Sequence, residues 1–102
     1  MTVTYTTRQG AESLAYGLAH RLTDLPCDTG WIGCYPVDMG LDRHLVGLTL
    51  DRVADTTTMR ALFDTLLDMP AEWTIFAPDS NIGEGTLAGV SVMVSLYPEA
   101  TS

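Results

Sequence analysis

From Leu87 to Tyr97 the sequence alternates cleanly, with Val90, Val92, Val94 and Leu96 interleaved with Ser91, Met93, Ser95 and Tyr97. A period of two is the mark of a strand with one face buried. Such a strand cannot stand alone. Its backbone needs neighbouring strands, and its apolar side needs a covering layer. The rest of the chain must therefore supply a sheet and something to pack on it.

The covering layer is readable as two helices. Leu14, Ala15, Leu18, Leu22 and Leu25 fall at helical spacing between Ala11 and Leu25, and Pro26 ends the run. Met59, Leu62, Phe63, Leu66 and Leu67 form a second stripe, with Asp55 and Thr56 to Thr58 as N-cap candidates and Pro70 as the stop. Arg60, Asp64 and Asp68 lie opposite that stripe, where Arg60 is expected to pair with Asp64.

Further strands are expected at Thr2 to Thr7, Gly30 to Val37, His44 to Leu50 and Trp73 to Ala77. Asp38 to Asp42 reads as the turn of a hairpin, and Pro78 to Thr86 as a loop dense in turn formers. The expected order is β-α-β-β-α-β-β in one domain spanning residues 1–102. Its first six elements are the split unit of ferredoxin-like folds. The expected architecture is α+β: a two-layer sandwich with an antiparallel ferredoxin-like sheet and two helices on one face. The last strand is expected to pair with the one at Trp73 to Ala77.

If the hairpin pairs Val37 with His44, Trp31, Gly33, Tyr35 and Val37 join Val46, Leu48 and Leu50 under the helices. Ile32, Cys34, Leu45, Gly47 and Thr49 then form the opposite face, with Met93 and Tyr97 beside them. That second face is less polar than an open sheet face usually is, and it offers a contact surface for a partner or a second copy. A slip of one residue exchanges the two faces of a strand.

Charge narrows the partners. Thirteen acids face five arginines and no lysine, for a net charge of −8. This disfavours direct binding to nucleic acid or to an anionic membrane and favours a basic protein partner. The apolar runs are far shorter than the roughly 20 residues of a membrane span. Met1 to Arg8 has no basic and apolar leader pattern, so a cytoplasmic protein is expected. In that compartment Cys27 and Cys34 are expected as thiols.

No motif points to catalysis, a cofactor or a metal. His20, Cys27, Cys34 and His44 lack metal-ligand spacing. Cys34 and His44 are expected on opposite faces of the hairpin, too far apart in direction for proton transfer. The glycines at 83, 85 and 89 precede a strand, whereas a dinucleotide fingerprint follows one. The acid pairs Asp38 and Asp42, Asp51 and Asp55, and Asp64 and Asp68 read as turn and capping chemistry.

The acids remain as a collective field. Asp24, Asp28, Asp38, Asp42, Asp51, Asp55, Glu72, Asp79, Glu84 and Glu99 lie outside most of the expected elements. Scattered, they keep the chain soluble; gathered, they imitate a phosphate backbone. The candidate partner-binding residues are Asp38, Asp42, Asp64 and Asp68, with Tyr16 and Phe76 as exposed aromatic anchors. Trp31 and Trp73 are expected in the core. In size, acidity and absence of a catalytic motif, the chain resembles the small inhibitors made by phages, including anti-CRISPR and antirestriction proteins. The resemblance implies a non-catalytic module that occludes a host nucleic-acid-binding protein; it carries no particular residue with it. The competing expectation is a small homo-oligomeric ferredoxin-like domain, a homodimer for instance, with a ligand or active site between subunits.

Overall fold

The computed structural model describes residues 3–24, 29–77 and 80–99. These form helix α1 (Arg8–Arg21) with a 3-10 turn at Leu22–Asp24, strands β1 (Trp31–Asp38) and β2 (His44–Val53), helix α2 (Thr56–Leu66), and strands β3 (Met69–Ala77), β4 (Ser80–Leu87) and β5 (Val90–Pro98). The sheet order is β1-β2-β5-β4-β3. β2 and β5 run parallel, and the other neighbours are antiparallel.

The α+β class and the two helices stand as expected, and both helices contribute to one core over one sheet face. The ferredoxin-like antiparallel sheet does not. Thr2 to Thr7 forms no strand in its described part. It makes one bridge, Thr6 to His44, and Thr4 accepts the Ser91 amide at 3.0 Å. The cause is competition for an edge: β5 occupies the slot beside β2 and leaves only the strand ends to the N-terminal segment.

The second departure is β4, which lies where the sequence suggests a loop. Its glycines are there because the neighbouring strand β3 and Leu67, at the end of α2, press on them. A Cβ on Gly83 would stand 2.6 Å from the Trp73 ring, and one on Gly85 would stand 2.8 Å from the Met69 carbonyl oxygen. Glycine inside a strand marks such close approach. β4 and β5 then join through Ala88 and Gly89, both at positive φ (52° and 77°), as a two-residue hairpin requires. β5 consequently pairs with β4, not with β3, and Leu87 belongs to β4.

The helix boundaries shift for local reasons. α1 begins three residues before Ala11 because the Thr7 hydroxyl caps it by accepting the Gly10 amide, which places Gly10 in the first turn. Leu25 and Pro26 lie outside the described residues. α2 starts as expected, with the Asp55 carboxylate accepting the Thr58 amide. The Thr58 hydroxyl, then its amide, hold the Asp55 carboxyl below the usual aspartate value of 3.8. This cap is complete above that value and is lost as pH falls through the lower folded one. α2 ends at Leu66, ahead of Pro70, which lies inside β3.

The core holds Leu18 from α1, Leu22 from the 3-10 turn after it, Met59 and Phe63 from α2, and Val46, Leu48, Leu50, Val92, Val94 and Leu96 from the sheet. A bulge between Leu50 and Val53, with Arg52 at φ 55°, turns Val53 back into that core.

Candidate functional site

The hairpin register decides which side chains face outward. Asp38, not Val37, pairs with His44, so Cys34 stands opposite Leu48 and Ile32 opposite Leu50. The expected register is off by one residue and the faces of β1 are exchanged. Ile32 and Cys34 pack against the core. Trp31, Gly33, Tyr35 and Val37 share the other face with Leu45, Gly47 and Thr49. Trp31 is therefore 55% exposed, whereas Trp73 packs on the core as expected.

Registers carry this outer face across the whole sheet. One row runs Tyr35, Gly47, Met93, Glu84, Glu72. The next runs Gly33, Thr49, Ser95, Ile82, Thr74. Alternation places Asp51 with Trp31 at one end and Tyr97 on the same side of β5. Neither helix covers this face, since both pack on the other; at one end Leu45 and Ser91 are nonetheless buried, where Thr4 bonds both the amide and the hydroxyl of Ser91. Trp31, Tyr35, Met93 and Tyr97 are exposed on it.

Its relief comes from small residues. The Trp31 ring lies where a Gly33 side chain would stand, and a Cβ on Gly47 would meet the Tyr35 ring at 2.6 Å. Each ring thus lies over a strand glycine, an arrangement that shields the glycine backbone and fixes the ring. The Tyr35 hydroxyl and the Thr49 hydroxyl are 3.0 Å apart. The result is an aromatic bed on β1 and β5 beside a floor of Gly47, Thr49 and Ser95.

The face also has one sign of charge. Its strand positions hold Asp51, Glu72 and Glu84, and no arginine or histidine. Asp51 has Arg52 at 3.8 Å. Glu72 and Glu84 stand directly opposite each other, a cross-strand pairing of like charges that disfavours the sheet.

The residues singled out from sequence are not brought together. Tyr16 projects from α1 at 82% exposure, and Phe76 from β3 at 77%. Asp38 accepts the Gly40 amide at 2.8 Å inside the hairpin turn, where Asp42 takes a positive φ of 58°. Asp64 does not bridge to Arg60. It accepts the Trp73 indole N–H at 2.9 Å and the Ala71 amide at 3.2 Å, while Arg60 stacks on the Trp73 ring at 5.4 Å. Asp68 accepts the Ala88 amide at 2.6 Å and holds the β4–β5 turn. Sequence reasoning passed over Trp31, Tyr35 and the facing pair Glu72 and Glu84. The available signal was the alternation of Trp31, Gly33 and Tyr35, since aromatic residues spaced by glycine suit rings lying on an open surface.

Other chemistry has little to build on. Cys34 and His44 share a face after all, but the four residues between their register positions separate them by about 13 Å. His44 is buried, its Nδ1 has no hydrogen-bond partner, and its Nε2 lies 3.9 Å from Asp38. Among the described residues no three His, Cys, Asp or Glu side chains converge as a metal site would need, and no helix is long and apolar enough to cross a membrane. Cys27 lies outside the described residues, and Cys34 is a free thiol. Burial pushes that thiol up from 9.0 to about 11, opposed in part by a hydrogen bond with the Ala19 backbone. In a Cys27→Ser background, Cys34 is expected to react with iodoacetamide at pH 8 about 100-fold more slowly than a cysteine of ordinary pKa. Stopped-time alkylation read by mass spectrometry checks this; reaction at the rate of free cysteine contradicts it.

A shallow pocket of about 190 Å³ lies between α1 and the β4–β5 turn, lined by Leu14, Gly17, Leu18, Arg21, Leu87 and Ala88 among others. It is small beside the 300 Å³ and upward of usual ligand pockets. Compared with known proteins, the chain matches no family model, no curated protein and no solved structure.

Proposed function

We propose that this chain is a non-catalytic protein-binding module that docks the open sheet face onto a partner with a basic surface. The inhibitor reading from sequence fits this: by covering such a surface the module would block a nucleic-acid-binding protein through occlusion. The observation that carries the proposal is the coincidence, on the sheet face that neither helix covers, of exposed Trp31, Tyr35, Met93 and Tyr97 with the facing carboxylates Glu72 and Glu84. Aromatic side chains are the usual anchors of interfaces. The one-signed charge would steer a cationic partner and reject anionic ones.

The test compares capture by the tagged wild-type chain with capture by Trp31→Ala/Tyr35→Ala and by Tyr16→Ala, in lysate from the source organism or its host. The expected result is one basic protein held in stoichiometric amount by wild type and Tyr16→Ala, released as salt rises, and reduced at least about tenfold by the face variant. Capture indifferent to Trp31 and Tyr35 overturns the proposal. So does a concentration-dependent dimer, seen by sedimentation, that buries Trp31.

A further inference from the structure

The following rests on the docking reading above and names the chemistry that the face selects. We infer that the open face is an arginine reader: it binds a protein segment carrying at least two arginines, one guanidinium lying on the Trp31 and Tyr35 rings and another held between Glu72 and Glu84.

Three observations lead there. First, Glu72 and Glu84 face each other across β3 and β4, and no base among the face positions stands with them. Two opposed carboxylates repel, and a cation inserted between them turns that repulsion into attraction. Second, the same row of the sheet begins with Tyr35, three strand spacings from Glu84, which is about 14 Å. Between the two ends lie Gly47, covered by the Tyr35 ring, and the exposed Met93, an apolar and uncharged stretch over which a chain can pass. The row is thus charged at one end, aromatic at the other and apolar between.

Third, aromatic rings elsewhere in this molecule already take guanidinium groups. Arg43 lies over Tyr5 at 5.3 Å and Arg60 over Trp73 at 5.4 Å. Among the described residues no arginine lies over the Trp31 or Tyr35 ring, and both rings are exposed. Arginine fits both ends better than lysine does. Its planar fork spans two carboxylates and stacks flat on a ring, while an ammonium group does each only as a hydrated point charge.

An octa-arginine peptide and an octa-lysine peptide, titrated into ¹⁵N-labelled protein at low salt, test the inference. Octa-arginine is expected to bind at least about fivefold more tightly than octa-lysine, because equal net charge leaves only the fork and the stacking to distinguish them. Its shifts are expected on Trp31, Tyr35, Met93, Glu84 and Glu72, not on the acids of α1 and α2. Glu72→Gln/Glu84→Gln removes the mutual repulsion, so it is expected to melt no lower than wild type while losing the preference for arginine. Equal affinity for the two peptides, or shifts spread over the helices, overturns the inference. Two failures are distinguishable. If the peptides are not discriminated but partner capture still depends on Trp31 and Tyr35, the docking reading stands and the arginine reading falls. If capture is also indifferent to the face, both fall.

Discussion

Phe63→Ala is expected to destabilise the protein by about 3–5 kcal/mol, which is much of the 5–15 kcal/mol that holds a typical domain folded. Phe63 is fully buried in the middle of the inner stripe of α2. Its ring meets the Trp73 ring at a centroid distance of 6.4 Å and a tilt of 45°. That contact joins the helix to β3, the edge strand at the far end of the sheet from α1. Removing the ring therefore leaves a cavity and also unseats Trp73, and Gly83 beneath Trp73 has no side chain with which to fill the space. Urea denaturation followed by circular dichroism is the measurement. The expected signature is a large fall in midpoint with an unchanged slope. A loss below about 1 kcal/mol would mean that α2 is not seated on the sheet as described.

The second large effect belongs to an acid. Asp64→Ala is expected to cost about 2–3 kcal/mol, since it strips two donors of a charged acceptor at once. The Trp73 indole N–H and the Ala71 amide both point at one oxygen of Asp64, and both sites are partly shielded from water. Asp64→Asn, which keeps a carbonyl acceptor, is expected to lose less. Asp42→Ala, in an exposed turn at positive φ, should cost about 1 kcal/mol, the strain of holding alanine in that conformation. Chemical denaturation of the three variants orders them, and the indole N–H resonance of Trp73 reports the bond directly. An Asp64→Ala protein as stable as Asp42→Ala would contradict the geometry.

Those two residues also mark where sequence reading worked and where it stopped. Phe63 announced itself through helical spacing, because burial along a helix repeats with a period that composition alone displays. Asp64 did not. Its position opposite the apolar stripe suits an exposed i, i+4 partner for Arg60, and only the arrival of β3 beside the helix converts it into a half-buried acceptor. The hairpin illustrates a different limit. Both strands and the turn were evident, but a three-residue turn, with Gly40, Leu41 and Asp42 all at positive φ, moved the pairing by one residue from Val37 to Asp38. One step of register was enough to carry Trp31 and Tyr35 from the core side to the open side.

β4 failed for a third reason. Asn81, Gly83 and Gly85 have the local signature of a loop; their strand conformation comes from pairing with β3 and β5, with Trp73 of β3 packed over Gly83 and Leu67 over Gly85. Non-local pairing of this kind has no local trace. The candidate site shared that fate. It is spread over strands whose order, β1-β2-β5-β4-β3, could not be guessed from a sequence that suggested a different pairing.

That order has a consequence for how the molecule assembles. β1 with β2, and β3 with β4, are neighbours in sequence and can zip up as soon as each is made. Yet the two ribbons never touch. Within the sheet they are joined only by β5, which threads between them and contributes Val92, Val94 and Leu96 to the centre of the core. A nascent chain that has emerged only as far as Gly89 holds two ribbons linked through α2, with the middle of the sheet missing. The parallel pairing that completes it is non-local, and such pairings form slowly. The five-stranded sheet therefore cannot close until synthesis has run almost to residue 98, and the open face, assembled from all five strands, is completed last.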